Sequence, residues 1–529
     1  APQAIDAHLR FLAHDLLEGR APATRGGQLA EEYIASIFQA IGLEGGAPDG
    51  GYFQTVPVNI VTVKNNTVAL GARVGGAVVP LRFAEDIVVW SDRPRTADTE
   101  STPVTLDGEV VFVGYGIDAP EYRWNDFKGQ DLRGKILLML VNDPPATADE
   151  PNLFGGRAMT YYGRWTYKFE EAERQGAAAA ILVHTTERAG YPWHTVVSSW
   201  SGPQRSLDRP SGAPAALTAR AWLTDTAART LLSRAGLDFD ALVDRATRRD
   251  AKPVPTGIRL SGKFDVTVSR ISARNVLARL PGSDATLARE AVVFSAHHDH
   301  LGIGPAVDGD TIYNGASDNA SGVANLLALS QSAVRAPRPK RTLYFAAVTA
   351  EEGGLLGSQY FVEHPSLPIE RIVANLNMDG GNLLGRTRDL IAQGEDKSTL
   401  GEVLRTVARN HGLGTSPDPF PERGLFYRSD HFSFARAGVP ALSVSAGVDF
   451  VGRPPLWGRE QMDEYMRTRY HQPSDQYRPN FDLSGAAQLS QVVLATGLAV
   501  ADAPTPPRWK TGSEFRRRPR RDLGVPATP

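Results

Sequence analysis

His297, His298, Asp299 and His300 sit together in "SAHHDH", directly after the apolar run "EAVVFSA". Histidine beside a carboxylate can bind a metal ion through an oriented ring, assist proton transfer, or form a polar turn. In an extended backbone alternate side chains face opposite ways, so His297 pairs with Asp299 and His298 with His300. Asp318, in "NGASDNASGVANLL", lies among small residues just before a helical pattern. It can cap that helix or, with room around it, bridge two cations. Glu351 and Glu352, in "TAEEGGLLGSQYF", follow another apolar run. Adjacent carboxylates repel unless cations compensate them, though two acids also suit a helix's first turn. Their side chains diverge, so one can hold a metal while the other reaches a water. Asp379 ends "VANLNMDGG", and "YHQPSDQY" supplies Tyr470, His471 and Asp475 in a loop.

Each motif alone has a bland explanation as a cap or a turn. Jointly they place acids and histidines at several strand ends of one kind of segment, which favours a shared site. Two histidines with three or four carboxylates, and no cysteine anywhere in the chain, suit a hard-to-borderline divalent ion, zinc first. No HExxH, GxSxG elbow, P-loop or helix-opening GxGxxG competes with this reading.

The elements that must position these residues begin near Val266. Apolar strands "NVLARL", "EAVVFSA", "RTLYFAAVTA" and "RIVANLNM" alternate with helical stretches such as "GVANLLALSQSAV". Buried parallel strands joined by crossover helices predict an α/β fold, a doubly wound and mostly parallel sheet flanked by helices, with ligands at the strand C-termini. Residues 4–42 read as helix broken by "GRAPATRGG". A β-rich stretch with one or two helices follows, between the Pro/Thr-rich "SDRPRTADTESTP" and "RATRRDAKPVP". These patterns divide the chain into 1–99, an inserted 100–255, 256–503, and a Pro/Arg-rich tail at 504–529 expected to be solvated. A chain of 529 residues exceeds one core, and a net charge of −2 gives no field for nucleic acid. No membrane span is expected, because no apolar run reaches about 20 residues. The chain starts at Ala1 without a methionine, which fits a mature product after signal cleavage or a trimmed chain.

At the chemical residues the sequence resembles the co-catalytic di-zinc exopeptidases of the bacterial secreted aminopeptidase and glutamate carboxypeptidase type. The matching stretches are "AHHDHLG", "SDNASG", "AEEGGLLGS", "NMDG" and "YHQPSD", in the family's order over roughly 266–500. The segment "GEVVFVGYGI…GKILLMLVNDPP…EEAERQGAAAAILVH" resembles the β-rich protease-associated domain inserted in many members. The resemblance implies two zinc ions per chain, one held by His297 and Asp379, the other by Glu352 and His471, with Asp318 between them. It makes Glu351 the general base, Asp299 the residue orienting His297, and Tyr470 a support for the developing oxyanion. Ser429, Asp430 and His431 would line the substrate cleft, while His298 and His300 fall on no ligand position. The implied activity is metal-dependent removal of N-terminal residues from peptides, in a periplasmic or secreted enzyme. A carboxypeptidase of the same chemistry is the alternative, with Arg423, Arg428 and Arg436 as candidates for a terminal carboxylate. A receptor-like ectodomain is disfavoured, since such relatives lose ligands that are all present here. Tyr161, Tyr162, Trp165 and Tyr167 are expected to pack between domains rather than face substrate.

Overall fold

A computed structural model describes residues 1–91, 102–209, 212–511 and 513–515. Residues 92–101 of the expected linker, with the 99/100 boundary, lie outside the described residues, as does the tail beyond 515, while Thr102 and Pro103 open a strand. The chain forms two compact units, one of Ala1–Val58, Ile271–Pro419 and Leu425–Arg518 as far as described, the other of Asn59–Arg270 and Phe420–Gly424. The chain crosses between them inside the strands Phe53–Val63 and Val254–Leu280.

The first unit holds every metal-ligand, base and cleft residue named above, while Arg423 falls in the second. Its elements are helices α1 (Pro2–Leu12) and α2 (Arg25–Ala40), strand β1 (Val254–Leu280, from Ile271 onward), β2 (Ala291–His297), α3 (Ser321–Arg335), β3 (Thr342–Val348), α4 (Leu356–Glu363), β4 (Ile372–Asn377), β5 (Asp389–Gln393), α5 (Leu400–Asn410), α6 (His431–Arg436), β6 (Ala441–Ala446), α7 (Trp457–Thr468) and α8 (Ser484–Asp502). The strands lie in the order β1–β3–β2–β4–β6–β5. β3, β2, β4 and β6 are parallel, while β1 and β5 are antiparallel to their neighbours. From β2 the chain goes first to β3 on one side and then to β4 on the other, so the winding reverses at β2. Side chains outside the strand C-termini face an open crevice at such a reversal.

Near-continuous apolar sequence explains why these strands sit inside: all seven residues of β2 and all seven of β3 are buried, the polar Ser295, His297 and Thr342 included. Val292, Phe294 and Ala296 of β2 join a core with α1, α2, α3 and α8 residues such as Leu9, Ile34, Leu327 and Val493. On the other face of β2, Ser295 donates to Asn377 and Asn377 donates to Ser429, so a buried polar chain supports the floor of the site. Helix α8 is long and apolar enough to cross a membrane by length and composition, contrary to the expectation that no segment is. Here 67% of its most apolar window is buried in the protein, so its apolarity serves this core. Part of the expected solvated tail also packs: Trp509 donates to the Gly438 carbonyl at 3.0 Å, and buried Phe515 lies against Phe426. Two aromatic anchors outweigh the Pro/Arg composition that suggested disorder.

In the second unit, parallel strands Thr102–Phe112, Ile136–Leu140, Ala179–His184 and Ala219–Thr224 carry helices including Trp165–Arg174 and Asp225–Arg234. Tyr161, Tyr162 and Tyr167 pack on one another, and Trp165 packs on Trp200, all within this unit. Lys168 is fully buried and donates to the Asn142 carbonyl at 3.0 Å. Burial lowers its ammonium to about 7 against the opposing pull of Asp143 and Asp126, and burial raises each of those carboxyls to about 6. The native carboxyls therefore bind more protons than the unfolded ones between about pH 4 and 6, and stability falls as pH rises there. The ammonium acts oppositely: from pH 7 to about 10 the unfolded chain binds more protons, and stability rises with pH. Unfolding measured for the wild type and for Lys168→Met with Asp126→Asn and Asp143→Asn should differ most unfavourably for the wild type between pH 6 and 7. A pH-independent difference would contradict the assignment.

Candidate metal centre

Three neighbouring strands deliver the central residues. β2 ends on His297, β3 runs out through Thr349 and Ala350 into Glu351 and Glu352, and β4 runs through Met378 into Asp379. Register places His297 beside Val348 and Ser295 beside Asn377, so all three ends open on one edge. Asp318 comes from the turn Ala316–Ala320 that starts α3, and His471 from the loop after α7. Ala350 and His471 have φ of 54° and 57°, a left-handed conformation costly for residues with a Cβ and tolerated where the surroundings enforce it.

The ligand-type atoms converge. His297 Nε2 lies 3.2 Å from Asp318 Oδ1 and 3.3 Å from Asp379 Oδ1. His471 Nε2 lies 3.0 Å from Glu352 Oε2 and 3.3 Å from Asp318 Oδ2. Asp318 thus offers one oxygen to each histidine. The His471 nitrogen is buried and makes no hydrogen bond to either carboxylate despite these distances. The nitrogen and the two carboxylate oxygens thus lie close together without being bonded to one another. Two ligands at ~2.0–2.1 Å from a tetrahedral zinc are about 3.3 Å apart, so the spacing and the donor set both fit that ion. Glu351 joins His297 and Asp379 with ligand atoms within 4.8 Å of one another.

Charge in the cluster is strongly coupled. Burial favours neutral groups throughout, but opposite charges overrule it at most positions. Burial would lower both histidines; Glu351 together with Asp318 and Asp379 holds His297 well above its usual range, and Glu352 with Asp318 raises His471 to about 10. Burial would raise Asp318 and Glu352; the histidines pull Asp318 well below the usual range and Glu352 to about 2. Glu351 goes the other way, raised well above its usual value by burial and by Asp379, Glu352 and Asp430. Protons on histidine here occupy the place that cations would take.

The remaining expected residues sit in the shell behind. His297 Nδ1 meets the Asp299 carbonyl at 3.2 Å, while the Asp299 carboxylate, 3.8 Å from that nitrogen, accepts from the Glu351 backbone N–H at 3.1 Å. Asp299 therefore ties the His297 loop to the Glu351 loop. The Tyr470 ring stacks on His471 with centroids 3.8 Å apart. Ser429, Asp430 and His431 are all buried: Ser429 accepts from Asn377, Asp430 is raised to about 7 by burial, and the His431 ring meets Phe426 edge-on. Asp475 accepts from the backbone N–H groups of Ser317 and Asp318, which fixes the turn presenting Asp318.

Two residues at the site carried no such weight in the sequence. Arg20, 1% exposed, donates to the carbonyls of His298, Asn314 and Gly315, joining the His297 loop to the Asp318 loop. His300 lies with Asp318 and Glu352, its Nδ1 2.6 Å from Glu352 Oε1. Strand alternation put His300 on the side away from His297, but β2 stops at His297 and the rule does not extend past it. His298 does turn away, bonding the Arg274 carbonyl at 3.0 Å. A histidine just beyond a strand's last residue was the available signal for His300.

Comparison with known proteins covers part of this architecture. Residues 275–497 match the model for peptidase family M28. The chain is 26% identical over 268 residues to leupeptin-inactivating enzyme 1 of Streptomyces exfoliatus, covering 50% of this chain and 55% of that protein. It is 34% identical over 178 residues to a vacuolar membrane protease of Candida dubliniensis, 34% of this chain and 17% of that one. With leucine aminopeptidase 2 of Trichophyton rubrum it shares 26% identity over 250 residues, 43% of this chain and 46% of that one. The chain thus spans about half or less of the length of these curated relatives. Among solved structures, the aminopeptidase from Aneurinibacillus sp. strain AM-1 aligns with a TM-score of 0.48 and 20% identity over 96% of this chain and 95% of that one. The segment that matches the peptidase family M28 model, residues 275–497, carries every ligand-type residue of the cluster.

Proposed function

We propose that the chain is a zinc aminopeptidase that holds two ions and releases N-terminal residues from peptides. The observation that carries this reading is the convergence of His297, Asp379, Asp318, Glu352 and His471, with Asp318 facing both histidines through different oxygens. His297, Asp379 and Asp318 would hold one ion, and His471, Glu352 and Asp318 the other. Zinc bound there supplies Lewis acidity toward the scissile carbonyl and the attacking water.

The chain's own groups do the rest. The Glu351 carboxylate takes the proton from the attacking water and returns it to the departing amine. Burial beside other carboxylates raises its proton affinity. Tyr470, stacked on His471, supports the oxyanion that develops on the carbonyl oxygen. The excess of carboxylates suits a substrate's free α-ammonium, which is the physical basis for choosing N-termini. The names of the leucine aminopeptidase and leupeptin-inactivating relatives agree with a peptide substrate.

The test compares a leucyl peptide with its N-acetylated form, before and after removal of metal by a chelator. Release of leucine from the free peptide alone, lost on chelation and restored by zinc, is expected. Loss of the C-terminal residue from the acetylated peptide would favour the carboxypeptidase alternative and end this reading.

A further inference from the structure

We propose that His300 is a positioning residue whose Nδ1–H holds Glu352 Oε1, leaving only Oε2 to face the cation shared with Asp318 and His471. This rests on the metal reading above and goes beyond its ligand set. Two distances separate the roles of the histidines around Glu352. His300 Nδ1 is 2.6 Å from Oε1, a charge-assisted hydrogen bond. That is too short for two ligands of one tetrahedral ion, which lie about 3.3 Å apart. His471 Nε2, at 3.0 Å from Oε2 without a hydrogen bond, has the spacing of a co-ligand.

The surroundings fix the His300 ring in this pose. The residue is 1% exposed, and its backbone N–H reaches the Arg20 carbonyl at 3.4 Å. Gly315, with φ of 56°, passes so close that a Cβ there would stand 2.5 Å from Cγ and Cδ2 of the ring. The chain that presents Asp318 thus clamps the ring that holds Glu352. A ligating carboxylate with one oxygen so held cannot rotate or become bidentate, and losing such support typically costs about 10–100-fold in metal affinity.

The side-chain geometry gives a discriminating pair of substitutions. Asparagine places its amide nitrogen close to where Nδ1 stands, and glutamine places it nearer Nε2. Zinc affinity and zinc content, read by chelator competition and elemental analysis, should be compared for wild type, His300→Asn, His300→Gln and His300→Leu. The expected result is a weaker second ion, by about 10–100-fold, in the Gln and Leu variants, near-wild-type affinity in Asn, and two ions at saturation in all. A saturating content of one ion in every variant would make His300 a ligand and overturn the proposal. Equal affinities in all four proteins would overturn it as well. If His300→Leu fails to fold, the Asn-against-Gln contrast decides alone. A wild type that binds no zinc refutes the metal reading itself, a result separate from either of these.

Discussion

Replacing Glu351 with glutamine should lower kcat by about 10²–10⁴-fold while zinc content stays at the wild-type level. Glutamine keeps the size and the hydrogen-bonding reach of the side chain but cannot take a proton from water. The fold has no reason to object. Burial and neighbouring acids already favour the neutral form of Glu351, so a neutral amide matches the state that the metal-free protein prefers. The backbone of Glu351 is held independently, by its N–H to Asp299 at 3.1 Å. Steady-state kinetics with metal analysis on the same preparation reads both quantities. Unchanged turnover would place the base elsewhere. Loss of an ion would instead make Glu351 a ligand, which its closeness to His297 and Asp379 permits geometrically.

The parts of this site that were legible in the sequence are those carried by strands. Near-continuous apolar runs such as "AVVFSA" and "TLYFAAV" declare parallel strands buried on both faces, and the residues that follow them must emerge at one edge. Asp318 was legible for a related reason, since small residues before a helix leave space around a carboxylate. What the sequence concealed depends on contacts without a local pattern. Arg20 binds carbonyls up to 295 positions away, and every residue has a carbonyl, so no residue type advertises the partner. His300 was misplaced by carrying a period of two beyond the end of its strand. The bond that Asn377 donates to Ser429 is likewise a long-range contact that no local pattern announces. Trp509 and Phe515 show the converse, where two aromatics in a composition typical of disorder suffice to dock a segment.

Asp318→Asn should be the most damaging single substitution at the centre, removing activity and reducing bound zinc below one ion per chain at concentrations that saturate the wild type. Asp318 alone faces both histidines, through Oδ1 at 3.2 Å from His297 and Oδ2 at 3.3 Å from His471. An amide replaces one of these oxygens with a donor that repels a cation and removes the negative charge that both positions share. Changing Asp379 or His471 would disturb one position directly and leave the other with its full set. The loop itself should survive, because Asp475 grips it through the backbone N–H groups of Ser317 and Asp318, which asparagine retains. A stability effect follows from the sign of the shift. The Asp318 carboxyl is depressed well below its usual value by the two histidines, so its charged form stabilises the metal-free protein at every pH above that usual value. The variant should therefore unfold more easily than wild type at pH 7 without metal, and the difference should shrink as pH falls below about 4. Two ions retained at wild-type affinity in Asp318→Asn would mean that the positions are independent, and the bridging role would have to be abandoned.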